Sequence, residues 1–240
     1  MFTRTNVLSL IAIFFFTVSF HAQDAKSILE KVKDRYNKIQ DYSADITVDI
    51  DIDFLKTPKV TGKLFFKQPN KMKIKSDGFA LLPKEGFNIS PASLLKDNYT
   101  SIYEKEEIID GVKLARLKVI PLGDSSNVIL STVWVDNAHA VIRKIESTTK
   151  NSGTFTITLS YNQGFLSKFP LPSSMEFNFD VSSLNIPRGF TSEPPKPDDK
   201  KKDDKDKLTK GSVLVTYKNY KVNSGLSDSV FQDEDKKQKQ

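Results

Sequence analysis

From Ala44 onward the chain is written in short runs that alternate apolar and polar residues, and this period of two constrains the fold more than any other feature. Ala44, Ile46, Val48, Ile50, Ile52 and Phe54 alternate with Asp45, Thr47, Asp49, Asp51 and Asp53, the pattern of a strand with one buried face. A second run sets Val60, Gly62, Leu64 and Phe66 against Thr61, Lys63, Phe65 and Lys67. After a turn at Gln68-Pro69-Asn70, a third places Met72 and Ile74 between Lys71, Lys73 and Lys75. These runs predict an antiparallel meander with one apolar and one charged face. Further strands are expected near 101–108, 112–120, 127–136, 140–148, 153–162, 173–182 and 210–221. Turn signals separate them, among them Asp110-Gly111, Gly123-Asp124-Ser125-Ser126, Asp136-Asn137 and Asn151-Ser152-Gly153. A mainly β chain of this kind, with ten strands, forms one large antiparallel sheet that curls on itself, because so wide a sheet rarely stays flat and its apolar face needs a cover.

Ahead of the strands lies one amphipathic helix. Asp24 is placed to cap it, and Ile28, Leu29, Val32, Tyr36 and Ile39 recur at helical spacing opposite Lys26, Glu30, Lys31, Lys33, Asp34 and Lys38. The segment containing Phe79, Leu81, Leu82, Phe87, Ile89, Leu94 and Leu95 is apolar, lacks sustained period two and is broken by Gly78, Pro83, Gly86 and Pro91. It reads as irregular chain and short helix, either a plug at the end of a barrel or a movable lid over an apolar cavity. Residues 1–23 read as an export signal, to be cleaved near Ala22 or Gln23. Arg4 precedes an apolar run of 14 residues from Val7 to Phe20, shorter than the roughly 20 that a membrane span requires. The exported chain is expected in a periplasm, with no membrane span left after cleavage. A single domain is expected over 24–232, with a disordered insert of mixed charge at 193–208 and a disordered tail at 233–240.

The residue inventory removes most chemistry. The chain contains no cysteine and two histidines, which excludes disulfides, thiolate metal sites and thiol nucleophiles. Asp49-Ile-Asp51-Ile-Asp53 fails as a calcium loop, because Phe54 and Val60 stand where an EF-hand needs glycine and glutamate. His139 sits in a turn, Glu104, Glu106 and Glu107 crowd together without an apolar setting, and Trp134 reads as a core residue on the face of Val128, Leu130 and Thr132. No catalytic constellation, metal site, cofactor motif or single-signed nucleic-acid arm is found, so an enzyme is not expected. Strand one carries four aspartates, while residues 56–75 carry seven lysines and no acid. In a meander these become cross-strand ion pairs, or else a lysine strip for anionic headgroups or an acidic partner. What remains is a curled apolar face, which side chains can fill or which an apolar ligand can occupy.

Several segments resemble a known family: Tyr36-Asn37-Lys38-Ile39-Gln40-Asp41-Tyr42-Ser43-Ala44, Gly62-Lys63-Leu64-Phe65-Phe66-Lys67-Gln68-Pro69-Asn70-Lys71-Met72-Lys73-Ile74, Leu117-Lys118-Val119-Ile120-Pro121, Val133-Trp134-Val135-Asp136, Ile142-Arg143-Lys144-Ile145-Glu146 and Tyr217-Lys218-Asn219-Tyr220-Lys221-Val222-Asn223. In this order they look like the outer-membrane lipoprotein-sorting proteins, the LolA-like group. The resemblance implies an incomplete β-barrel with a short helical lid around a cavity for lipoprotein acyl chains or phospholipid. It also implies an inner-membrane release complex and an outer-membrane acceptor as partners. The cavity and lid residues it implies are Ile46, Val48, Ile50, Leu64, Phe66, Met72, Ile74, Phe79, Leu81, Leu82, Phe87 and Leu94. An envelope-stress sensor or a structural envelope protein of the same fold is the alternative.

Overall fold

The computed structural model describes residues 24–52, 55–56, 58–76, 98–122, 126–150, 153–180 and 210–232. The expected signal segment, the 79–95 segment, the charged insert and the tail lie outside them. Asp24 caps α1 (Ala25–Asn37), its carboxylate accepting from the Lys26 N–H at 3.1 Å. The apolar stripe of α1 is buried at Ala25, Ile28, Leu29, Val32 and Tyr36, and Ile39 follows it into the core.

The strands are β1 (Asp41–Ile52), β2 (Leu55–Lys56), β3 (Val60–Lys67), β4 (Lys71–Lys75), β5 (Tyr99–Ile109), β6 (Val112–Pro121), β7 (Val128–Asp136), β8 (Val141–Thr149), β9 (Thr154–Ser160), β10 (Ser174–Asp180) and β11 (Lys210–Val222). A short helix, α2 (Gln163–Leu166), joins β9 to β10, and a 3-10 turn (Asp228–Phe231) follows β11. All the pairings are antiparallel, in the order β4-β3-β1-β11-β10-β9-β8-β7-β6-β5, with the small β2 paired to β1. The expected meander is present as β1-β3-β4. Its other flank is β11, so the first long strand and the last one meet in the body of the sheet. Among the described residues the sheet does not close: β4 and β5 are its two ends.

The helix forces the curl. Strands lie about 4.8 Å apart, so β3 and β5, eight places apart in the order, would stand about 38 Å from each other in a flat sheet. Yet α1, a helix of 13 residues, reaches both: Tyr36 packs edge-on against Phe66 of β3 at 6.1 Å, and the helix also contacts β5. An α-helix with side chains is about 10–12 Å thick. The sheet must therefore wrap around it, and the residues of α1 and of the sheet's inner face form one apolar cluster.

Two details depart from expectation. Trp134 is buried, but it stands on the outer face, because β7 presents Ser131, Val133 and Val135 inward. Charged groups cover it there. The Arg116 guanidinium carbon lies 5.3 Å and Lys144 Nζ 4.7 Å from the ring centre, while its indole N–H donates to Glu107 at 2.6 Å. The lysines of residues 56–75, for their part, are only partly matched by strand one. Lys59 reaches Asp49 at 2.9 Å and Lys63 reaches Asp45 at 3.6 Å. On β4, however, the register sets Lys71 opposite Lys67 and Lys75 opposite Lys63.

Candidate functional site: the concave apolar face

Cross-strand register assembles the site. One inner-face row runs Tyr103, Leu117, Val133, Ile145, Ile157, Phe177, Val213 and Ile50, each residue opposite the next on the adjoining strand from β5 round to β1. Its middle is sealed: Leu117, Val133, Ile145 and Ile157 are at most 2% exposed. Toward β10, β11 and β1 the same row opens, and Phe177, Val213 and Ile50 are half-buried. Phe155 on β9 and Phe179 on β10 stand opposite each other in the neighbouring row, both half-buried. Phe155 and Phe179 each pack against Phe177, with centroids 5.3 and 5.1 Å away. The result is a contiguous aromatic and aliphatic floor on four adjacent strands.

The other end of the concavity is closed by tyrosines. Tyr42 stacks on Phe66 at 5.1 Å and meets Tyr220 edge-on at 5.7 Å, while Tyr220 stacks on Phe165 at 5.2 Å. Burial pushes the hydroxyls of Tyr42, Tyr161, Tyr217 and Tyr220 above their ordinary range, and neighbouring tyrosines add to it. Tyr161 donates to the Ile142 carbonyl and Tyr220 to that of Pro172, both at 2.8 Å. These hydroxyls are therefore neutral, and those of Tyr161 and Tyr220 are satisfied within the chain.

A polar knot locks the same end. The Asn223 side chain accepts from the Gln40 N–H at 2.7 Å and donates to the Lys38 carbonyl at 3.0 Å. Gln68 donates to the carbonyls of Asn37 and Ile39 at 3.0 and 2.8 Å. The buried Asp41 carboxylate accepts from the N–H groups of Ser224 and Gly225 at 2.9 and 3.0 Å. Three of the segments that carry the family resemblance thus converge here, at the end of α1, the β3–β4 turn and the end of β11. Their common role is to fasten the helix across the sheet.

The residues implied as cavity wall divide into two sets. Ile46, Val48, Leu64 and Phe66 are buried in the core cluster, whereas Ile50, Met72 and Ile74 are half-buried on its border. Phe79, Leu81, Leu82, Phe87 and Leu94 lie outside the described residues. Phe155, Phe177, Phe179 and Val213 were not singled out by the sequence, although the alternation Met175, Phe177, Phe179 was visible in it. On β5, the Tyr99 hydroxyl is buried without a hydrogen-bond partner among the described residues, and desolvation raises its pKa.

Several of the remaining titratable groups are held in ion pairs or hydrogen bonds. Arg143 and His139 hold Asp136 at 2.8 and 2.9 Å. Glu104 bridges Arg116 and Lys118 at 2.9 and 3.0 Å. Glu107, hydrogen-bonded first by Lys105 and then by Trp134, is lowered to about 2, which makes it a fixed anion and a poor proton donor. Among the described residues no group of three histidine, aspartate or glutamate side chains is placed to hold a metal ion.

An antiparallel sheet wrapped around a helix, open between its end strands and apolar within, defines the half-open barrel class. Three solved structures share it. A lipoprotein-sorting protein domain from Vibrio parahaemolyticus matches with a TM-score of 0.55 at 14% identity, over 87% of this chain and 97% of its own. A LolA superfamily protein from Nitrosomonas europaea matches at 0.53 and 13%, over 88% and 98%. A DUF1329 family protein from Desulfovibrio piger matches at 0.51 and 14%, over 87% and 97%. No family model and no curated protein matches the sequence. The chain therefore has the LolA-like fold.

Proposed function

We propose that this chain is a periplasmic, non-enzymatic carrier that shields the acyl chains of a lipoprotein or lipid in its concave face on the way to the outer membrane. The observation that carries the reading is the half-buried floor of Phe155, Phe177, Phe179, Val213 and Ile50 on a sheet with the LolA-like fold. Each methylene transferred from water to such a floor contributes about 0.8 kcal/mol. Ten of them contribute on the order of 8 kcal/mol before ordering costs, so affinity needs no polar motif. The apolar segment 7–20 supports export, and among the described residues no helix is long and apolar enough to cross a membrane. Loading at the inner membrane and release to an outer-membrane acceptor follow from this reading.

Native mass spectrometry tests it, using the chain purified after export and without detergent. The expected result is a bound mass matching a phospholipid or lipopeptide, lost in Phe177→Glu while the circular dichroism stays that of the parent. A ligand-free mass that persists after incubation with lipid would overturn the carrier reading in favour of a filled barrel with a structural role.

A further inference from the structure

The outer face of β3 and β4 carries Lys63, Lys67, Lys71, Lys73 and Lys75, with Lys63 opposite Lys75 and Lys67 opposite Lys71. Like charges set directly opposite each other are unfavourable. Lysines on β4 alone would suffice to keep a sheet end from pairing with another strand. Doubling them on β3 concentrates one sign of charge where mixing was available. Phe65, half-buried, stands among them opposite Lys73.

The chain itself shows what this face accepts. The 3-10 turn lies against β4, and Asp228 reaches in between two lysines. Its Oδ1 is 2.7 Å from Lys67 Nζ, and its Oδ2 is 3.1 Å from Lys71 Nζ. Lys67 also donates to the Leu226 carbonyl at 2.8 Å, and Lys73 donates to the Gln232 carbonyl. Two ammonium groups, each on one oxygen of the same anion, can hold a phosphodiester in the same way. The Asp228 side chain is 59% exposed, so this contact is weak and exchangeable.

We propose that the β3–β4 lysine face docks on an anionic membrane surface, and that the Asp228 turn is a built-in competitor displaced when headgroup phosphates take its place. A lipid surface fits better than an acidic peptide. Across β3 and β4 the face carries one charge sign, bordered on β1 by Asp45 at 3.6 Å from Lys63, and has an aromatic residue among the lysines, the pairing that settles at a headgroup layer. The proposal does not depend on what fills the concave face.

Co-sedimentation of the exported chain with phosphatidylcholine vesicles, with and without phosphatidylglycerol, tests it. Binding is expected only to the anionic vesicles and is expected to disappear at high salt. Each lysine near such a surface contributes about fivefold in partition, so releasing two of them in Asp228→Asn raises binding by about 25-fold. Lys71→Glu with Lys73→Glu abolishes binding, and Phe177→Glu leaves it intact, which separates this face from the concave one. Equal binding to neutral and anionic vesicles would overturn the proposal, as would an Asp228→Asn variant that binds no better than the parent. Lysine-dependent binding of polyglutamate without binding to anionic vesicles would also overturn it, in favour of an acidic protein partner.

Discussion

Replacing Gly62 with alanine tests how tightly the sheet end β4 is seated. Gly62 lies on the inner face of β3 opposite Ile46 of β1. A Cβ there would stand 2.8 Å from Ser76 Cβ and 2.9 Å from the Lys75 carbonyl oxygen. The Gly62 backbone is outside the left-handed region, so alanine is conformationally allowed. At an unobstructed strand position it would gain about 0.5–1 kcal/mol. Here ordinary contact begins near 3.4 Å, so the end of β4 must retreat by about half an ångström against its hydrogen bonds to β3. Overpacking of that kind costs about 1–3 kcal/mol. The balance is a net loss of about 1.5 kcal/mol, or about 3–6 °C in Tm for a chain of this size. Urea unfolding followed by the fluorescence of Trp134, the single tryptophan, reads the global loss from a strand remote from the perturbation. Hydrogen exchange at the β4 amides reads its location. In a Ser76→Gly background, which itself lacks the Ser76 hydroxyl's hydrogen bond to the Thr61 carbonyl, one of the two close contacts is gone and Gly62→Ala should cost about half as much. A Gly62→Ala protein as stable as its parent, or more so, would refute the reasoning.

Three further perturbations probe the supports of the site. Asn223→Ala removes both links of that side chain to the end of α1 and is expected to cost about 1–2 kcal/mol. Asn223→Gly, which keeps the left-handed backbone at φ 53°, costs nearly as much if the hydrogen bonds dominate, and chemical denaturation of the two variants decides. Burial pushes the Asp136 carboxyl up, but hydrogen bonds from Arg143 and His139 prevail and hold it below its ordinary range. Its stabilisation is thus full above the unfolded carboxyl pKa and fades as pH falls through the lower folded value. Asp136→Asn should cost about 3 kcal/mol at neutral pH by stranding Arg143 and should flatten that acid limb; an unchanged limb would refute the assignment. Trp134 emission should titrate with Glu107 at about pH 2, and a midpoint in the usual glutamate range would show that the indole–carboxylate bond is absent in solution.

Strand rhythm was legible because a period of two is a local property: seven of the later runs were placed within about two residues of β5 to β11 by alternation and turn residues alone. The helix was equally plain, since one apolar stripe at helical spacing permits no other folding. Which strands become neighbours is not local. β1 pairs with β11, bringing Ile50 opposite Val213 across more than 160 residues of chain, and no run of residues encodes that meeting. The floor is therefore not legible locally: Phe177 joins Ile50 in one row only through Val213 of β11, which lies between their strands. Trp134 was misplaced for a different reason. Both faces of β7 carry large or β-branched residues, so alternation does not tell inside from outside, and the cations that decide it, Arg116 and Lys144, arrive from β6 and β8.

The placement of the resemblance segments bears on what the fold is for. Gln40-Asp41, Gln68 and Asn223 fasten one end of α1 to the sheet through hydrogen bonds that a ligand could not replace. The tyrosines beside them are buried and neutral. The half-buried phenylalanines lie on β9 and β10, on inner-face rows away from this knot, where a ligand can change without disturbing it. A binding surface built only of apolar area selects for size and shape and leaves no fixed residue signature. In this chain the fastening and the half-buried floor are thus separate sets of residues. Phe177→Glu and Asn223→Ala should accordingly fail in different ways: the first loses apolar ligand even where it remains folded, while the second keeps its ligand at low temperature and unfolds early.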